Sequence, residues 1–286
     1  MTLQVLISTY DQVGVNRVAK MFLPELDNVS YLISVQNPHK KVLMYPDSIL
    51  RKDILITEIE SKGLGLNRNH SIDESTGDIL LISDDDLIYT VQGLKAVIHT
   101  FEENSDIDIA TFRYLGGDNK IYTDYEFDLL QEPKGYYITS FEIAIRKSSI
   151  PKDIRFSRYL GAGNTIFSCG EENLFVYRLL KAGLKGRFFP ITIVEHPELT
   201  TGSRQATAGT LRGQGNWLRL RYGTFMGYLR LIRDIPRKKA PWHKSLFFMT
   251  QGFILSYFYF TKDGKDRQKN YSSSRRAISL TLNLIP

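Results

Sequence analysis

An apolar run, Ile79-Leu80-Leu81-Ile82-Ser83, stops abruptly at three consecutive aspartates, Asp84, Asp85 and Asp86. A five-residue run of this kind suits a buried strand. Adjacent carboxylates repel one another, so the fold has to put them where water or a cation neutralises them. At the carboxyl end of a buried strand they lie where open α/β sheets take their ligands. A second reading is equally open at this point: a solvated turn, with Asp86 or Thr90 capping a helix over residues 91–98.

The neighbouring segments alternate. Apolar stretches at residues 3–8, 31–35, 54–59 and 79–83 are interleaved with helical stretches near residues 15–23 and 67–74. This predicts βαβ units and an α/β fold with a mixed, mainly parallel sheet flanked by helices. The chain has 286 residues, enough for one large domain or two modest ones. Residues 1–8 have neither a basic region nor a long apolar stretch, so they read as a first strand rather than a signal peptide. One cysteine, Cys169, excludes an intrachain disulfide framework and a cysteine-rich zinc site. It reads as a small core residue, in keeping with a reducing compartment.

Three further segments carry chemistry. Gly63-Leu64-Gly65-Leu66-Asn67-Arg68 lacks the third glycine of a dinucleotide fingerprint; it predicts a tight turn, with Arg68 and Asn69 at a helix start able to meet an anion. In Gly170-Glu171-Glu172-Asn173, the apolar spacing that follows puts both glutamates in a first helical turn. There they either complement the helix dipole or, facing a cleft, act as a general base toward a hydroxyl. A strand through residues 185–196 ends at His196, which is either a structural histidine or a metal ligand.

Charge is unevenly spread. Residues 1–203 hold 21 Lys and Arg against 28 Asp and Glu, and residues 204–286 hold 16 against 3. The tail also carries Trp217 and Trp242, and residues 245–260 contain no charge. As a helix that stretch is about 24 Å long, short of the ~30 Å hydrocarbon core, so it should not span a bilayer alone. It is read either as an interfacial anchor on an anionic membrane or as a helix packed on the catalytic domain. Nucleic-acid binding is disfavoured by the acidic front half and the lack of a recognised module.

Taken in order, Ser8-Thr9-Tyr10-Asp11, Arg68-Asn69 ahead of Gly77-Asp78, the aspartate triplet, Gly170-Glu171-Glu172-Asn173 and His196-Pro197 resemble the family 2 glycosyltransferases of the GT-A fold, over residues 1–205. The resemblance implies an inverting, metal-dependent transferase with a Rossmann-like catalytic domain at residues 1–205 and a basic, aromatic, mostly helical extension at 206–286. It implies a nucleotide-sugar donor, most simply a UDP-sugar, and a glycan or lipid-linked acceptor, as in bacterial surface polysaccharide synthesis. Asp84, Asp85 and Asp86 then stand for the D-x-D motif, with Asp86 as the direct ligand of Mn2+ or Mg2+, Asp84 and His196 as further metal ligands, and Asp84 or Asp85 nearer the ribose and sugar. Ser8, Thr9, Tyr10, Asp11, Gln36 and Arg68 line the nucleotide pocket, and Glu172 is the base, with Glu171 beside it. Two departures matter. Gln36 stands where the family often has an acidic residue that reads the base, and the base itself is a glutamate rather than an aspartate. A cytoplasmic location at the inner face of a membrane follows from the same resemblance.

Two rivals remain. Asp84 to Ile88 approximates the nucleophile motif of haloacid-dehalogenase phosphatases but falls far later in the chain than that class places it. A catalytically inactive sugar-nucleotide or membrane-binding module is the other.

Overall fold

The computed structural model of the chain describes residues 1–116, 120–196, 206–238 and 240–267. They form two compact units, one of residues 1–155 with 179–196, the other of Phe156–Arg178 with the described residues from 206 onward. The first unit contains every strand of the sheet. In chain order it runs β1 (Leu3–Tyr10), α1 (Asp11–Val18), β2 (Val29–Gln36), β3 (Ile54–Ile59), α2 (Leu64–Glu74), β4 (Ile79–Ser83), β5 (Ile88–Tyr89), α3 (Val91–Glu103), β6 (Ile109–Gly116), β7 (Phe127–Asp128), β8 (Ile143–Arg146) and, after the second unit's first segment, β9 (Gly186–His196).

The sheet order is β3-β2-β1-β4-β8-β6-β9-β5, with β7 also paired to β9. Its β3-β2-β1-β4 half is wholly parallel, and antiparallel pairs enter only from β8 outward. The cause is visible in the strands. Leu3, Val5, Ile7, Tyr31, Ile33, Ile79 and Leu81 are all buried in one core with Val15, Leu94, Val97 and Phe101 from the covering helices. Each such side chain is worth roughly 1.5–3 kcal/mol when fully removed from water. The parallel register pairs Tyr10 with Gln36 and Ile7 with Ser83, so β1 and β2 end together and β4 stops three residues earlier, opposite Ile7.

The predicted helix over residues 15–23 begins earlier and ends earlier. Asp11, at φ 54°, turns the chain directly out of β1, and its carboxylate accepts from the Gln12 amide at 2.7 Å. Val18 closes α1, and Phe22, whose spacing extended the apolar pattern, is exposed. Thr90, not Asp86, caps α3: its hydroxyl accepts from the Gly93 amide at 3.0 Å. Gly93 lets α3 lie on β9, because a Cβ there would stand 2.1 Å from the Ile193 carbonyl oxygen.

The second unit is helical: the start of α4 (Glu171–Lys181), then α5 (Ala208–Tyr222), α6 (Thr224–Asp234) and α7 (Trp242–Tyr259). One of its cores joins Leu160, Phe167 and Leu174 to Leu220, Leu255 and Phe260. Residues 156–178 thus group with the carboxyl-terminal helices, where the sequence placed them with the sheet. Helices α5 and α7 approach at glycines: a Cβ on Gly215 would meet the Met249 carbonyl oxygen at 1.9 Å, and one on Gly252 the Arg212 carbonyl oxygen at 2.1 Å. Cys169 is half-buried here, its thiol donating to the Thr210 carbonyl at 3.5 Å. No helix among the described residues is long and apolar enough to cross a membrane.

Candidate active site

The three aspartates have three different surroundings. Asp85 turns inward beneath β1. Its Oδ1 accepts from Arg17 Nε at 3.0 Å, and its Oδ2 accepts from Arg17 Nη2 at 2.7 Å and from the Thr9 hydroxyl at 2.5 Å. A two-pronged guanidinium contact plus a hydroxyl occupies both oxygens. Gly14 makes the room: a Cβ there would fall 1.9 Å from Thr9 Oγ1 and 3.0 Å from Asp85 Oδ2. Asp85 and Thr9 were read as lining the nucleotide pocket; the structure uses them to clasp the end of β4 to β1 and α1.

Asp84 is held from two sides. Its Oδ1 accepts from Arg68 Nη2 at 2.9 Å and its Oδ2 from the Ser140 hydroxyl at 3.2 Å. The sequence places Arg68 at a helix start, yet α2 already begins at Leu64, so Arg68 falls in the second turn and is 2% exposed. Its neighbour Asn67 donates to the Thr9 and Ser34 carbonyls at 3.0 Å each, joining α2 to the ends of β1 and β2.

Asp86 is the bare one. Its Oδ1 is buried without a hydrogen-bond partner, and His196 Nε2 lies 3.6 Å from it. Burial, the largest cause, raises its carboxyl above the usual range despite the opposing His196; Asp84 and Asp85 raise it further. A partly desolvated carboxylate beside two others is the arrangement a divalent cation relieves. Among the described residues no three His, Cys, Asp or Glu side chains close into a metal cage. Mg2+ and Mn2+ sites of the kind that bind phosphates need no cage, since one or two carboxylates and the substrate's own oxygens suffice. Asp86 and Asp84 fit that requirement, with His196 adjacent; Pro197 lies outside the described residues.

A short helical turn, Ser140–Glu142, supports this corner and was not singled out from the sequence. Ser140 reaches Asp84, and the Phe141 ring packs 5.3 Å from the His196 ring. Glu142 is fully buried and anchors the turn: Lys120 Nζ donates to its two oxygens at 2.7 and 2.6 Å, the Tyr122 hydroxyl donates to it as well, and it accepts from the Thr139 amide at 2.7 Å. The Lys120 ammonium also lies 4.3 Å from the Tyr137 ring centroid and 4.9 Å from that of Tyr122. A buried ion pair this well hydrogen-bonded fixes a conformation more than it adds stability.

The remaining candidates on the sheet sit at the same edge. Ser8 Oγ is buried with no hydrogen-bond partner, and Tyr10 is exposed. The Asp11 carboxylate accepts from Lys41 Nζ at 2.8 Å, and that hydrogen bond holds its carboxyl below the usual range. Beside it a cavity of about 580 Å³ is lined by Asp11, Gln12, Asn16, Lys41 and Tyr45, among others. Gln36 donates to Ser61 Oγ at 2.9 Å and to the Gly63 carbonyl at 3.1 Å, which holds the glycine turn ahead of α2.

Glu171 and Glu172 open α4 in the second unit. Glu171 is buried against Gly161, where a Cβ would stand 2.8 Å from its carboxyl carbon; Gly161, at φ 93°, leaves that space. Glu172 is only partly buried, and its Oε1 accepts from Asn173 Nδ2 at 3.1 Å.

Comparison with known proteins gives a family match over part of the chain and a likeness of fold. The family described as Glycosyl transferase family 2 matches residues 45–158, which include Arg68, the aspartates and the Ser140 turn. No curated protein sequence matches the chain. Among solved structures, S. aureus TarS residues 1–349 is similar at 15% identity and a TM-score of 0.54, covering 99% of this chain and 79% of that one. The same TarS fragment in complex with UDP-GlcNAc gives 15% identity and a TM-score of 0.54 over all of this chain and 82% of that one. Against the longer TarS structure the chain spans about half, 49% of that chain, at a TM-score of 0.51. At such identities the likeness is one of fold, a mixed GT-A sheet with a helical carboxyl-terminal part.

Proposed function

We propose, for a chain whose residues 45–158 match glycosyl transferase family 2, the transfer of a sugar from a nucleotide-sugar donor to a hydroxyl of a glycan or lipid-linked acceptor, with inversion at the anomeric carbon, of the kind that builds bacterial surface polysaccharide. One observation carries the reading. Of three consecutive aspartates, the middle one is consumed by Arg17 and Thr9, which leaves Asp84 and Asp86 as the D-x-D pair at the strand end. A Mg2+ or Mn2+ ion held there with the donor diphosphate would supply charge neutralisation to the leaving group. Asp86 is the principal ligand, because both oxygens of Asp84 are already hydrogen-bonded.

The chain's own groups supply the rest. Ser8, Tyr10 and Asp11 bound the nucleotide at the ends of β1 and β2. Gln36 acts there through the glycine turn it holds, so the acidic base reader of the family is replaced by backbone. The UDP and UDP-GlcNAc complexes of TarS favour a uridine donor. Glu172 takes the proton of the acceptor hydroxyl as its oxygen bonds to the anomeric carbon and the bond to the diphosphate breaks. Glu171, packed on Gly161, positions the helix start. The reading includes a peripheral seat on an anionic membrane, where a lipid-linked acceptor resides.

A thermal-shift screen of nucleotide sugars with and without Mn2+ identifies the donor. Glu172→Gln should abolish transfer and keep metal-dependent nucleotide binding, whereas Asp86→Ala should abolish both. Transfer by Glu172→Gln at the rate of the parent chain would refute the base assignment.

A further inference from the structure

We infer that α6 is the membrane-seating element of this protein, docking its outward face on an anionic lipid bilayer. The inference rests on the reading of a membrane-borne acceptor for its purpose but not for its physics.

A helix on the surface of a soluble unit normally turns its apolar side inward and its polar side to water. Helix α6 does not. Gly227 and Leu231 face the core, Gly227 against the Leu218 carbonyl and the Phe253 ring. Outward, Phe225, Met226, Tyr228, Leu229 and Ile232 are 74%, 49%, 42%, 50% and 45% exposed. At 100° per residue these five span about 160° of the helix circumference, with Arg233 inside the arc. Tyr257, also exposed, extends the patch from α7: its hydroxyl is 2.5 Å from Thr224 Oγ1 at the head of α6. An exposed, mainly apolar face of this kind marks a surface meant to be covered.

Charge decides what covers it. Residues 206–260 contain nine Lys and Arg against one acidic residue, Asp234. Arg233, within the arc in the last turn of α6, and Arg237 flank that aspartate at 2.8 and 3.3 Å, and Arg230, beside the arc, lies 3.9 Å over the Tyr222 ring, so basic groups border the apolar surface. A second copy of the chain would present the same excess of positive charge, which opposes pairing of two such faces. Nucleic acid would satisfy the charge but has no use for Met226, Leu229 and Ile232. An anionic bilayer satisfies both: aliphatic and aromatic side chains enter the acyl boundary while the basic rim stays with the headgroups. Since no helix among the described residues is a membrane span, the seat is peripheral and reversible.

Flotation of the full chain with phosphatidylcholine vesicles, with and without phosphatidylglycerol, tests this. The parent chain should float with the anionic vesicles only and detach as salt is raised past the point where the Debye length falls to about 3 Å. The triple variant Phe225→Ser, Leu229→Ser, Ile232→Ser alters only exposed positions, so its melting curve should match the parent. It should lose more than about a hundredfold in partitioning, at about tenfold for each side chain withdrawn from the bilayer. Flotation of the variant equal to the parent, or equal flotation of the parent on neutral vesicles, overturns the inference; so does a parent dimer in solution that the variant converts to monomer. Sugar transfer to a soluble acceptor, measured without vesicles, separates the two readings. Flotation without transfer sinks the enzymatic one alone, and transfer without flotation sinks the anchor alone.

Discussion

Asp85 and Asp86 are neighbours in the chain with opposite duties, and substitution should separate them. Asp85→Asn strips the charge from a carboxylate that holds Arg17 and Thr9. Arg17 is about half exposed, so the loss should be about 1–2 kcal/mol rather than the larger cost of breaking a sealed pair, read as a lowered midpoint in urea unfolding. Asp86→Asn should leave that midpoint within about 0.5 kcal/mol and eliminate the stabilisation given by Mn2+ with nucleotide. Acidity should distinguish them as well. The carboxyl of Asp86 is raised by burial, so the native chain binds a proton there that the unfolded chain has already released. Without a cation, stability at this site therefore falls as pH rises through that elevated range, and with Mn2+ the dependence reverses because proton and cation compete. The thermal shift produced by Mn2+ should grow with pH across that interval in the parent chain and stay flat in Asp86→Asn.

Elements differ in how they depend on single positions. Thr90 caps α3 through the Gly93 amide, and Thr90→Ala should cost about 1 kcal/mol. Gly93→Ala should cost more, about 1–3 kcal/mol, because its Cβ would meet the Ile193 carbonyl, a backbone atom unable to swing aside. The same push would shift β9, whose last residue is His196, so metal-dependent nucleotide binding should weaken in Gly93→Ala and not in Thr90→Ala. Chemical denaturation and a binding titration on both variants check the pair. Strands β1, β2, β3, β4 and β9 were legible in the sequence as local apolar runs, and the strand-end position of the triplet followed from that; β5 and β7, two residues each, are too short to leave a pattern, and β6 and β8 went unread. What each aspartate touches was not. Arg17 and Asp85 are 68 residues apart and Ser140 and Asp84 are 56 apart, and no local pattern encodes such meetings. The reading of Arg68 failed by one helical turn, since the glycine turn ends sooner than the apolar pattern begins.

At the scale of the molecule, the chain leaves the sheet at residue 156, contributes to the helical unit, returns for β9 and leaves again. A version cut after residue 205 would keep Leu160, Phe167 and Leu174 but lose Leu220, Leu255 and Phe260, their partners in one core. Such a truncation should aggregate or lose the packing around Glu171 and Glu172, which analytical sedimentation and near-ultraviolet circular dichroism would show. A soluble, fully packed truncated chain would contradict the shared core. For that reason the membrane seat is better probed by exposed point substitutions in α6 than by removal of the tail.

The same interleaving has a consequence in time. Residues 156–178 leave the ribosome well before the helices that cover them, and at about 5–20 residues per second the ~80 residues to the end of α7 take roughly 4–16 s. During that interval Phe167 and Leu174 lack Leu220, Leu255 and Phe260, and β9 emerges to complete the sheet before those partners do. Synthesis thus finishes the sheet first and the glutamate-bearing helix start last.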